Sequence, residues 1–592
     1  MLGSLCQDIE HANKIIQKTN EKHIEVFKYI SLNYHISEQE IFAKAARYCD
    51  LAFSEIIPQD LTINLKIKQL KDINSITNFS AKLLDRVVLF ASPNIYEMFE
   101  LRSINNSSGL PYICIVPPNA IKEALVAHFS DKLLEEAKQR LAHRWPFASA
   151  HKDLTYPSRI IFLLFLFSVI AIVTFTPISL TVYLLPLLGI LFLIPAWFRL
   201  SAVFETINKT PSQKFLSDEE LPIYSILIPL RDEAHMVEQL AKAMNALNYP
   251  SHKLDIKFVV ESTSPKTISA VRKTLHNPHF ELIIVPKSAP HTKPKALNFA
   301  LPFVRGEHLV IFDAEDIPEP DQLILSATQF ANDISIDCIQ AELVIDNDAE
   351  SWLTTLFCAE YSGLFGIMLP ALSRWKFPMP LGGTSNHFRT SSLLEVGGWD
   401  AFNVTEDADL GLRLSRLRYK TGILYSKTYE EAPVSLKPWL AQRTRWMKGW
   451  MQTFIVHNRY PKAFLKDAGW KNFLVFQVYV GSLIISAPLH TIFLLALIFR
   501  FYEAKLQGFE NFNNWLLVYL FFLIAGYSAT ILHSIIGLIR LKKFKALWLI
   551  PTLPLYWALS GLASLFAAYE LMVKPYFWAK TKHGVTKKNR TT

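Results

Sequence analysis

Two closely spaced apolar runs constrain the fold of this chain more than any other feature of its sequence. Residues 160–176 and 180–198 are separated by only three residues, and each is long enough to cross a bilayer core of about 30 Å. Basic residues lie on both sides of the pair: Arg144, Lys152, Arg159, Arg199 and Lys209. Because cytoplasmic flanks are rich in Lys and Arg, we expect a transmembrane hairpin over 158–200 with both ends cytoplasmic. A hairpin buried inside a soluble protein is the alternative.

A second apolar block occupies the last third of the chain. Residues 472–501 and 515–541 are long enough to span a bilayer, and 546–572 also qualifies although Pro551 and Pro554 interrupt it. Basic residues predict a cytoplasmic loop after the second run and a cytoplasmic tail: Arg540, Lys542, Lys543, Lys545, Lys574, Lys580, Lys582, Lys587, Lys588 and Arg590. Three single crossings would place the tail outside. We therefore expect a bent or re-entrant final segment or an extra element, an interfacial helix within 471–481, and five or six membrane helices.

The rest of the sequence has soluble character, and this contrast divides the chain into domains. Although 51% of the residues are hydrophobic and the mean hydropathy is +0.19, the apolar excess is concentrated in the two blocks. The prediction is a soluble accessory domain over 1–150, the hairpin, and a second soluble domain over 215–465. Membrane and interfacial helices over 466–575 and a basic tail over 576–592 follow.

Charge, cysteine content and motifs exclude several classes of protein. The net charge is +9, but the basic residues are dispersed and no nucleic-acid-binding motif is present, so we expect no nucleic-acid partner. The five cysteines form no Cys-x-x-Cys pair or Cys/His cluster, so neither a zinc site nor a disulfide framework is indicated. The absence of a Gly-x-x-x-x-Gly-Lys-Ser/Thr loop argues against an ATPase motor.

Strand-like and helix-like runs alternate in the second soluble domain. This alternation is typical of an α/β fold with a mostly parallel sheet, whose ligand site lies at the carboxyl ends of the strands. The predicted strands are 224–229, 256–260, 282–285 and 308–312, with helices over 237–247 and 295–301. In the N-terminal domain, two helices within 25–49 and strands over 86–90 and 112–116 predict a small α/β or α+β domain.

Carboxylates follow directly after the predicted strand 308–312. Asp313, Glu315 and Asp316 are hard oxygen ligands, which suit Mg²⁺ or Mn²⁺, and such an ion also bridges diphosphates. The apolar strand before them favours a metal site over the alternative, an acidic solvated turn.

A second acidic motif, Thr405-Glu406-Asp407, begins a predicted helix. Thr405 is a fair N-cap, and carboxylates are favourable at a helix N-terminus, so plain capping is the alternative to a catalytic role. Capping does not require two adjacent carboxylates and a following Asp409. One carboxylate of the pair is therefore a candidate general base.

Two basic motifs are candidates for binding phosphate. Arg443 and Arg445 suit a diphosphate leaving group, and Trp446 offers a flat face on which a sugar ring can stack; an amphipathic helix at a membrane surface is the alternative. Lys293 and Lys295 lie just before a predicted helix, where phosphate binding is favourable, and a solvated loop is the alternative there.

Taken together, these motifs resemble those of processive, membrane-embedded family 2 glycosyltransferases such as cellulose, chitin and hyaluronan synthases. The resemblance covers about residues 158–585 and implies a GT-A-like domain inserted between transmembrane helices. The motifs occur in the family's order: Pro229 with Asp232 and Glu233, Lys293 with Lys295, Asp313-Ala314-Glu315-Asp316, Thr405-Glu406-Asp407, and Gln442-Arg443-Thr444-Arg445-Trp446.

The resemblance also implies a role for each motif. Asp313, Glu315 and Asp316 would hold Mg²⁺ or Mn²⁺ on a UDP-sugar, and Asp407, beside Glu406, would remove the acceptor proton. Gln442 and Trp446, together with Gly383 and Thr384 of an acceptor-side segment, would hold the acceptor. The remaining donor-binding residues would be Pro229, Asp232, Glu233, Glu261, Lys293, Lys295, Arg443 and Arg445. The reaction would be a single inverting displacement.

Two regions depart from the family pattern or extend beyond it. After the second strand Glu261 is the only carboxylate, because Thr263 and Ser264 stand where the family commonly has uridine-binding aspartates. The N-terminal domain is faintly similar to that of type II secretion ATPases, some copies of which bind cyclic di-GMP. The repeated Arg-Leu-Gly and Leu-Val motifs of those copies are not evident in this sequence, so cyclic di-GMP is the less favoured partner.

The sequence thus supports three hypotheses about function. The first is a β-glycan synthase in the bacterial inner membrane that uses a UDP-sugar, with UDP-glucose the default by resemblance, to elongate and export a polysaccharide. The second is a transferase that adds one sugar to a lipid-linked acceptor. The third is a non-enzymatic secretion or assembly component.

Overall fold

The computed structural model describes residues 8–21, 24–34, 36–58, 61–63, 65, 67, 70–105, 112–176, 183–205, 215–275, 277–507, 514–578 and 584. The chain divides into two compact units. The first contains 1–137, 215–288 and 296–314, and the second contains 138–214, 289–295 and 315–592. The N-terminal domain and the first strands of the second soluble domain therefore belong to one unit, so the unit boundaries do not follow the predicted domain boundaries.

The described strands, in chain order, are β1 (Ala52–Phe53), β2 (Thr62–Ile63), β3 (Asn78–Leu83), β4 (Arg86–Ala91), β5 (Tyr112–Ile115), β6 (Tyr224–Leu230), β7 (Leu254–Glu261), β8 (Phe280–Val285), β9 (His308–Ile311), β10 (Ile317–Pro318), β11 (Ile336–Ile345), β12 (Asn386–Arg389) and β13 (Lys420–Glu430).

The described α-helices are α1 (Ile9–Glu21), α2 (Val26–Tyr34), α3 (Glu38–Tyr48), α4 (Ile95–Asn105), α5 (Pro118–His128), α6 (Ser130–Arg144), α7 (Ala150–Asp153), α8 (Tyr156–Phe175), α9 (Leu185–Leu188), α10 (Ile194–Glu205), α11 (Val237–Asn245), α12 (Pro265–Arg272), α13 (Lys293–Ala300), α14 (Gln322–Asn332), α15 (Trp352–Gly363), α16 (Leu369–Arg374), α17 (Thr390–Glu395), α18 (Glu406–Arg416), α19 (Leu436–Asn458), α20 (Pro461–Gln507), α21 (Asn514–Arg540) and α22 (Leu553–Val573).

The N-terminal part of the first unit is a mixed sheet with helices, as predicted. Its strands lie in the order β1-β5-β4-β3-β2. β3 and β4 form an antiparallel hairpin, whereas β5 pairs in parallel with both β4 and β1. Helices α2 and α3 supply buried apolar residues such as Phe27, Ile30 and Phe42 to the core of this domain.

The other sheet segment of the first unit consists of four parallel strands in the order β9-β6-β7-β8. These strands confirm the sequence prediction. β6, β7 and β9 are buried along almost their whole length, as expected for parallel strands that are covered on both faces. Their carboxyl ends lead into Asp232, Glu261 and Asp313.

A cluster of charged side chains is buried in this first unit. Lys257 Nζ lies 2.9 Å from Asp255 Oδ1 and 2.7 Å from Glu281 Oε2. Arg305 pairs with the same two carboxylates, and Lys122 from α5 lies 2.6 Å from Glu281. The cluster thereby ties the N-terminal domain to strands β7 and β8.

The second unit contains the strand order β10-β13-β11-β12. β11 and β13 pair in parallel, and β12 and β10 are antiparallel additions at the two sides. The mostly parallel pattern expected from the sequence therefore ends at β9. A mixed sheet segment carries the loop that precedes β12 and the turn that leads into α18.

Six described helical segments, all in the second unit, are long and apolar enough to cross a membrane. Five of them match predicted runs: Tyr156–Phe175, Leu185–Glu205, Pro461–Phe499, Leu520–Arg540 and Phe544–Val573. The sixth, Trp352–Arg374, was not predicted and is largely buried inside the protein, where it packs against both α21 and β11.

The late apolar block differs from the sequence prediction in two details. Residues 471–481, where an interfacial helix is expected, form no separate helix but continue the long helix α20; the break lies earlier, at Gly469, whose φ is +80°. In the last run, a 3₁₀ segment over Phe544–Thr552 precedes α22, which begins beside Pro554. The hairpin turn 177–179, Lys209 and the tail beyond Trp578, except Gly584, lie outside the described residues.

Candidate active site

The first turn of α18 presents the two adjacent carboxylates of Glu406 and Asp407. Thr405 occupies the N-cap position, as predicted, but its side chain makes no capping hydrogen bond, so the capping role is wrong. Glu406 is buried and Asp407 is half-buried. The Oδ1 atom of Asp407 accepts a hydrogen bond from the Ala408 N–H at 2.7 Å. Asp407 is thus the carboxylate of the pair that an incoming substrate can reach.

The environment of this pair favours the protonated forms. Burial, together with the neighbouring charge of Asp407, raises the pKa of Glu406 to about 8. Burial also raises the pKa of Asp407, while the hydrogen bond from Ala408 and the positive charges of Lys293 and Arg445 oppose the shift. Two carboxylates that resist ionising together have the properties of a group that takes up a proton during a reaction.

The predicted lysine motif lies at the start of α13. Lys293 is half-buried, influences both carboxylates electrostatically and donates a hydrogen bond from Nζ to the Gly383 carbonyl at 2.6 Å. Thr292 donates to the Ala401 carbonyl at 2.8 Å. Lys295 has no exposed surface, so of the two lysines only Lys293 is accessible.

The loop before β12 holds the predicted acceptor-side residues. Gln340 of β11 accepts a hydrogen bond from the Gly382 N–H at 2.7 Å and donates to the Thr384 carbonyl at 3.0 Å. The Thr384 hydroxyl donates to Asp316. Sequence reasoning missed Gln340, although an isolated amide within the apolar strand β11 is a recognisable signal of a buried polar contact.

Helix α19 carries the last predicted motif. The Gln442 side-chain oxygen is buried and has no hydrogen-bond partner within the described part of the chain. The Arg445 guanidinium lies over the Trp578 ring, 5.0 Å from its centroid. Trp446 stacks on Tyr361 with ring centroids 6.2 Å apart. An unsatisfied buried amide oxygen is a position that a sugar hydroxyl could satisfy.

Arg443 has a different role from the one predicted. It donates to both carboxylate oxygens of Glu360, at 2.7 and 2.5 Å, and to the Tyr556 hydroxyl at 2.6 Å. The same guanidinium lies over the rings of Trp439 and Trp446. Because these internal partners occupy it, Arg443 is corrected from a diphosphate ligand to an internal ion pair. No local sequence pattern points to Glu360, which lies 83 residues away.

The remaining predicted donor residues lie in the first unit. Pro229 is near the end of β6, and Glu261 is the last residue of β7. Asp232 has a φ of +54°, and its carboxylate accepts a hydrogen bond from the Ser264 hydroxyl at 2.9 Å. The Glu233 N–H donates to Thr267. Ser264 stands where the resemblance leads us to expect an aspartate, and its hydroxyl instead holds the Asp232 carboxylate in place.

The described residues contain no group of three or more His, Cys, Asp or Glu side chains arranged as metal ligands. Asp313 is half-buried, whereas Glu315 and Asp316 are buried, and Asp316 accepts the hydrogen bond from Thr384. A magnesium ion on a diphosphate requires only one or two protein carboxylates, because phosphate oxygens and water complete its shell. Of these three carboxylates, Asp313 is the most accessible.

Comparison with known proteins finds similarity to glycosyltransferases over part of the chain. Residues 308–569 match Glycosyl transferase family group 2. The probable glycosyltransferase YdaM of Bacillus subtilis (strain 168) is 27% identical over 357 residues, which cover 58% of this chain and 82% of YdaM.

Two further relatives carry more specific names. The beta-monoglucosyldiacylglycerol synthase of Trichormus variabilis is 27% identical over 239 residues, or 40% of this chain and 50% of the relative. The cellulose synthase catalytic subunit (UDP-forming) of Pseudomonas fluorescens (strain SBW25) is 28% identical over 258 residues, or 43% of this chain and 34% of the relative. The chain thus spans half or less of these two. Residues 308–569 are similar to a family 2 glycosyltransferase domain, and this match, together with the names of the relatives, supports a glycosyltransferase.

Proposed function

We propose that this glycosyltransferase transfers a sugar from a UDP donor, with inversion, to an acceptor hydroxyl that Asp407 deprotonates, and so elongates a β-linked polysaccharide at a membrane. UDP-glucose is the proposed donor, because the relatives include a beta-monoglucosyldiacylglycerol synthase and a UDP-forming cellulose synthase. The observation that carries the proposal is the Glu406–Asp407 pair, with a raised pKa on both groups and only Asp407 partly accessible.

The proposed chemistry at Asp407 follows from its surroundings. Lys293 and Arg445 are close enough to influence its charge, and both are cations suited to a diphosphate. An acceptor hydroxyl would give its proton to Asp407 as its oxygen attacks the anomeric carbon, while the sugar–diphosphate bond breaks and UDP departs. Fixed cations are most useful where charge develops on that leaving group.

A divalent cation would complete the donor side. Mg²⁺ or Mn²⁺, held by Asp313 with Glu315 and Asp316 nearby in sequence, would neutralise charge on the departing diphosphate. Asp232, Glu233, Pro229 and Glu261 are proposed to hold the nucleotide.

The acceptor side is proposed to lie along α19. Trp446 offers an aromatic face, Gln442 an unsatisfied amide oxygen, and Gly383 and Thr384 lie in the loop that Lys293 contacts. A saccharide chain presents alternating apolar faces and hydroxyls that match these groups. The six candidate spans of the second unit support a bilayer location, with the catalytic domain proposed to be cytoplasmic in a bacterial inner membrane.

A second function is favoured by one observation. The similarity to a beta-monoglucosyldiacylglycerol synthase fits a single transfer to a lipid acceptor. The same proton transfer at Asp407 would serve both functions, so the product distinguishes them.

The test is product analysis with purified full-length protein in lipid nanodiscs. Radiolabelled UDP-glucose and other UDP-sugars would be supplied with Mg²⁺ or Mn²⁺, with and without diacylglycerol. A long, β-glucanase-sensitive polymer supports the first function, and one sugar on lipid supports the second. No turnover with any UDP-sugar, or full turnover by Asp407→Asn, would overturn the proposal. Glu238→Gln is the matched control, because Glu238 is an exposed carboxylate paired with Lys242.

A further inference from the structure

Helix α19 contacts the loop 403–405, which leads directly into Glu406 and Asp407. The contacting residues of α19 are Gly449, Gln452 and Thr453, which lie on one face because three- and four-residue spacings repeat with the helical turn. Thr453 accepts a hydrogen bond from the Asn403 side chain at 2.9 Å. The helix that carries Gln442, Arg445 and Trp446 therefore also touches the backbone that places the two carboxylates.

Gly449 allows the closest of these contacts. A Cβ atom at this position would lie 2.1 Å from Thr405 Oγ1 and 2.5 Å from Thr405 Cγ2, well inside van der Waals distance. The residue has ordinary helical geometry, so glycine is not needed there for its backbone conformation. Glycine instead lets the helix and Thr405 approach each other.

Gln452 provides a second, directional contact. Its side-chain oxygen accepts a hydrogen bond from the Val404 N–H at 3.0 Å, and its side-chain nitrogen donates to the Pro575 carbonyl at 3.0 Å. The residue is fully buried. One turn earlier, Lys448 bonds the Phe577 carbonyl at 2.8 Å and pairs with Glu570 of α22 at 2.8 Å. A single amide thus links the loop to the segment that follows the last apolar helix.

We propose that Gly449 and Gln452 are positioning residues, which fix the loop 403–405 against α19 and so set the distance between the Asp407 carboxylate and the groups that hold donor and acceptor. This inference rests on the proposed role of Asp407 as the base. It assigns to α19 a second task beyond presenting the Gln442–Trp446 motif. Neither residue is expected to touch substrate, so their substitution should affect turnover and leave donor binding intact.

The first test is Gly449→Ala. Alanine is the better helix former, so α19 itself should not lose stability. The added methyl group should displace Thr405 and the carboxylates behind it. We expect kcat to fall on the order of ten- to a hundredfold, the scale expected for a misplaced catalytic group, with little change in KM for the UDP-sugar or in UDP affinity.

The matched control is Gly481→Ala in α20. A Cβ atom there would meet Phe454 at an ordinary 3.4 Å, so kcat and thermal unfolding should match the wild type. If Gly449→Ala retains wild-type kcat, the positioning role is overturned. If it lowers kcat only in proportion to the fraction of folded protein, the role is equally overturned.

A double-mutant cycle tests whether the effect passes through the proposed contact. Thr405→Ala removes Oγ1 and Cγ2, the two atoms closest to the added methyl group, and keeps the Thr405 Cβ at 2.7 Å, so it relieves the close contact in part. Gly449→Ala should therefore lower kcat less in the Thr405→Ala background than in the wild type. Equal losses in both backgrounds would overturn the inference.

Gln452→Glu distinguishes the two hydrogen bonds of the Gln452 amide, one to Val404 and one to Pro575. The variant keeps an oxygen for the Val404 N–H but loses the donor to Pro575, so a fall in kcat with unchanged donor KM supports the link to the 574–578 segment. Unchanged kcat overturns that link. Asp407→Asn is measured in parallel: if that variant stays active, the proposed function fails, whereas an inactive Asp407→Asn beside an unaffected Gly449→Ala defeats only the positioning role.

Discussion

Two buried groups of charged residues, one in each compact unit, respond to burial in opposite ways. In the first unit, Asp255 and Glu281 are surrounded by Lys257, Arg305 and Lys122. Burial alone would raise the pKa of each acid, but the cations hold both pKa values below their usual range. In the second unit, burial prevails, and the pKa values of Glu406 and Asp407 are raised.

The difference lies in how the negative charges are compensated. Each carboxylate of the first group faces at least two cations at 2.6–3.3 Å. Glu406 and Asp407 are adjacent in sequence, and Lys293 and Arg445 only partly offset their repulsion. A fully paired group stabilises the ionised form and has little tendency to exchange protons, whereas an underpaired group binds a proton readily. The first arrangement suits a structural role and the second suits a reaction.

The largest effect is expected when one carboxylate of the Glu406–Asp407 pair is removed. Asp407→Asn should lower kcat by about 10²–10⁴-fold, the usual contribution of a general base, while leaving the fold intact because one of two repelling carboxylates is removed. Single-turnover and steady-state rates with the UDP-sugar measure this effect. Wild-type rates in the Asp407→Asn variant would remove the contrast between the two groups.

The second prediction concerns the buried cluster around Asp255 and Glu281. Lys257→Met should leave Asp255 and Glu281 buried with fewer cations and lower the free energy of unfolding by about 3–5 kcal/mol. Turnover per folded molecule should not change. Denaturant unfolding of the full-length protein tests this, with the exposed Lys242→Met as control, for which a loss of at most about 1 kcal/mol is expected. An equal loss in both variants would contradict the prediction.

The third prediction concerns pH. The pKa of Glu406 is about 8 when folded and near 4.5 when unfolded, so the folded protein holds this proton more tightly. Stability should therefore fall as pH rises from about 4.5 to 8, with a slope of up to about 1.4 kcal/mol per pH unit from this group. Asp255 and Glu281, with lowered pKa values, lose their stabilising contribution as pH falls instead.

Glu406→Gln isolates that slope. The melting temperature should depend less on pH than in the wild type between about pH 4.5 and 8, while the loss of stability at lower pH remains. An unchanged slope over that range would show that Glu406 ionises without cost in the folded protein.

The smallest effect is expected for Lys122, the most accessible lysine paired with Glu281. Lys122 is partly exposed, with 21% of its side chain accessible, and Glu281 keeps Lys257 and Arg305 when it is removed. Lys122→Met should lower the free energy of unfolding by about 1 kcal/mol. The exposed Lys82→Met serves as control, and a loss as large as that of Lys257→Met would contradict the ranking.

Much of the fold was predictable from local pattern. The parallel strands β6 to β9 appear as apolar runs separated by helical periodicity, and the apolar runs predicted five of the six candidate spans. The sixth, Trp352–Arg374, lies within the predicted second soluble domain. The sequence pattern did not distinguish it from that domain, and only the structure shows that this helical segment is buried.

The candidate site was predictable in its residues more than in its contacts. Glu406 and Asp407 stand out as adjacent carboxylates at a helix start, and Lys293 as a cation before a helix. Arg443 and Arg445 lie two residues apart in the same motif, yet Arg443 pairs with Glu360 whereas Arg445 lies near Asp407. Glu360 belongs to another helix, so no local sequence pattern predicts that pairing.

The sequence by itself determined the motifs, five of the six apolar spans and the positions of strands β6 to β9, because periodicity, apolar length and motif spacing are properties of neighbouring residues. Only the tertiary structure decided which charges are compensated and which backbones touch. Asp255 meets Arg305 from 50 residues away, and Gly449 meets Thr405 of a different element. Such encounters depend on how packed elements approach in space, and they separate a carboxylate that stabilises this protein from one proposed to accept a proton.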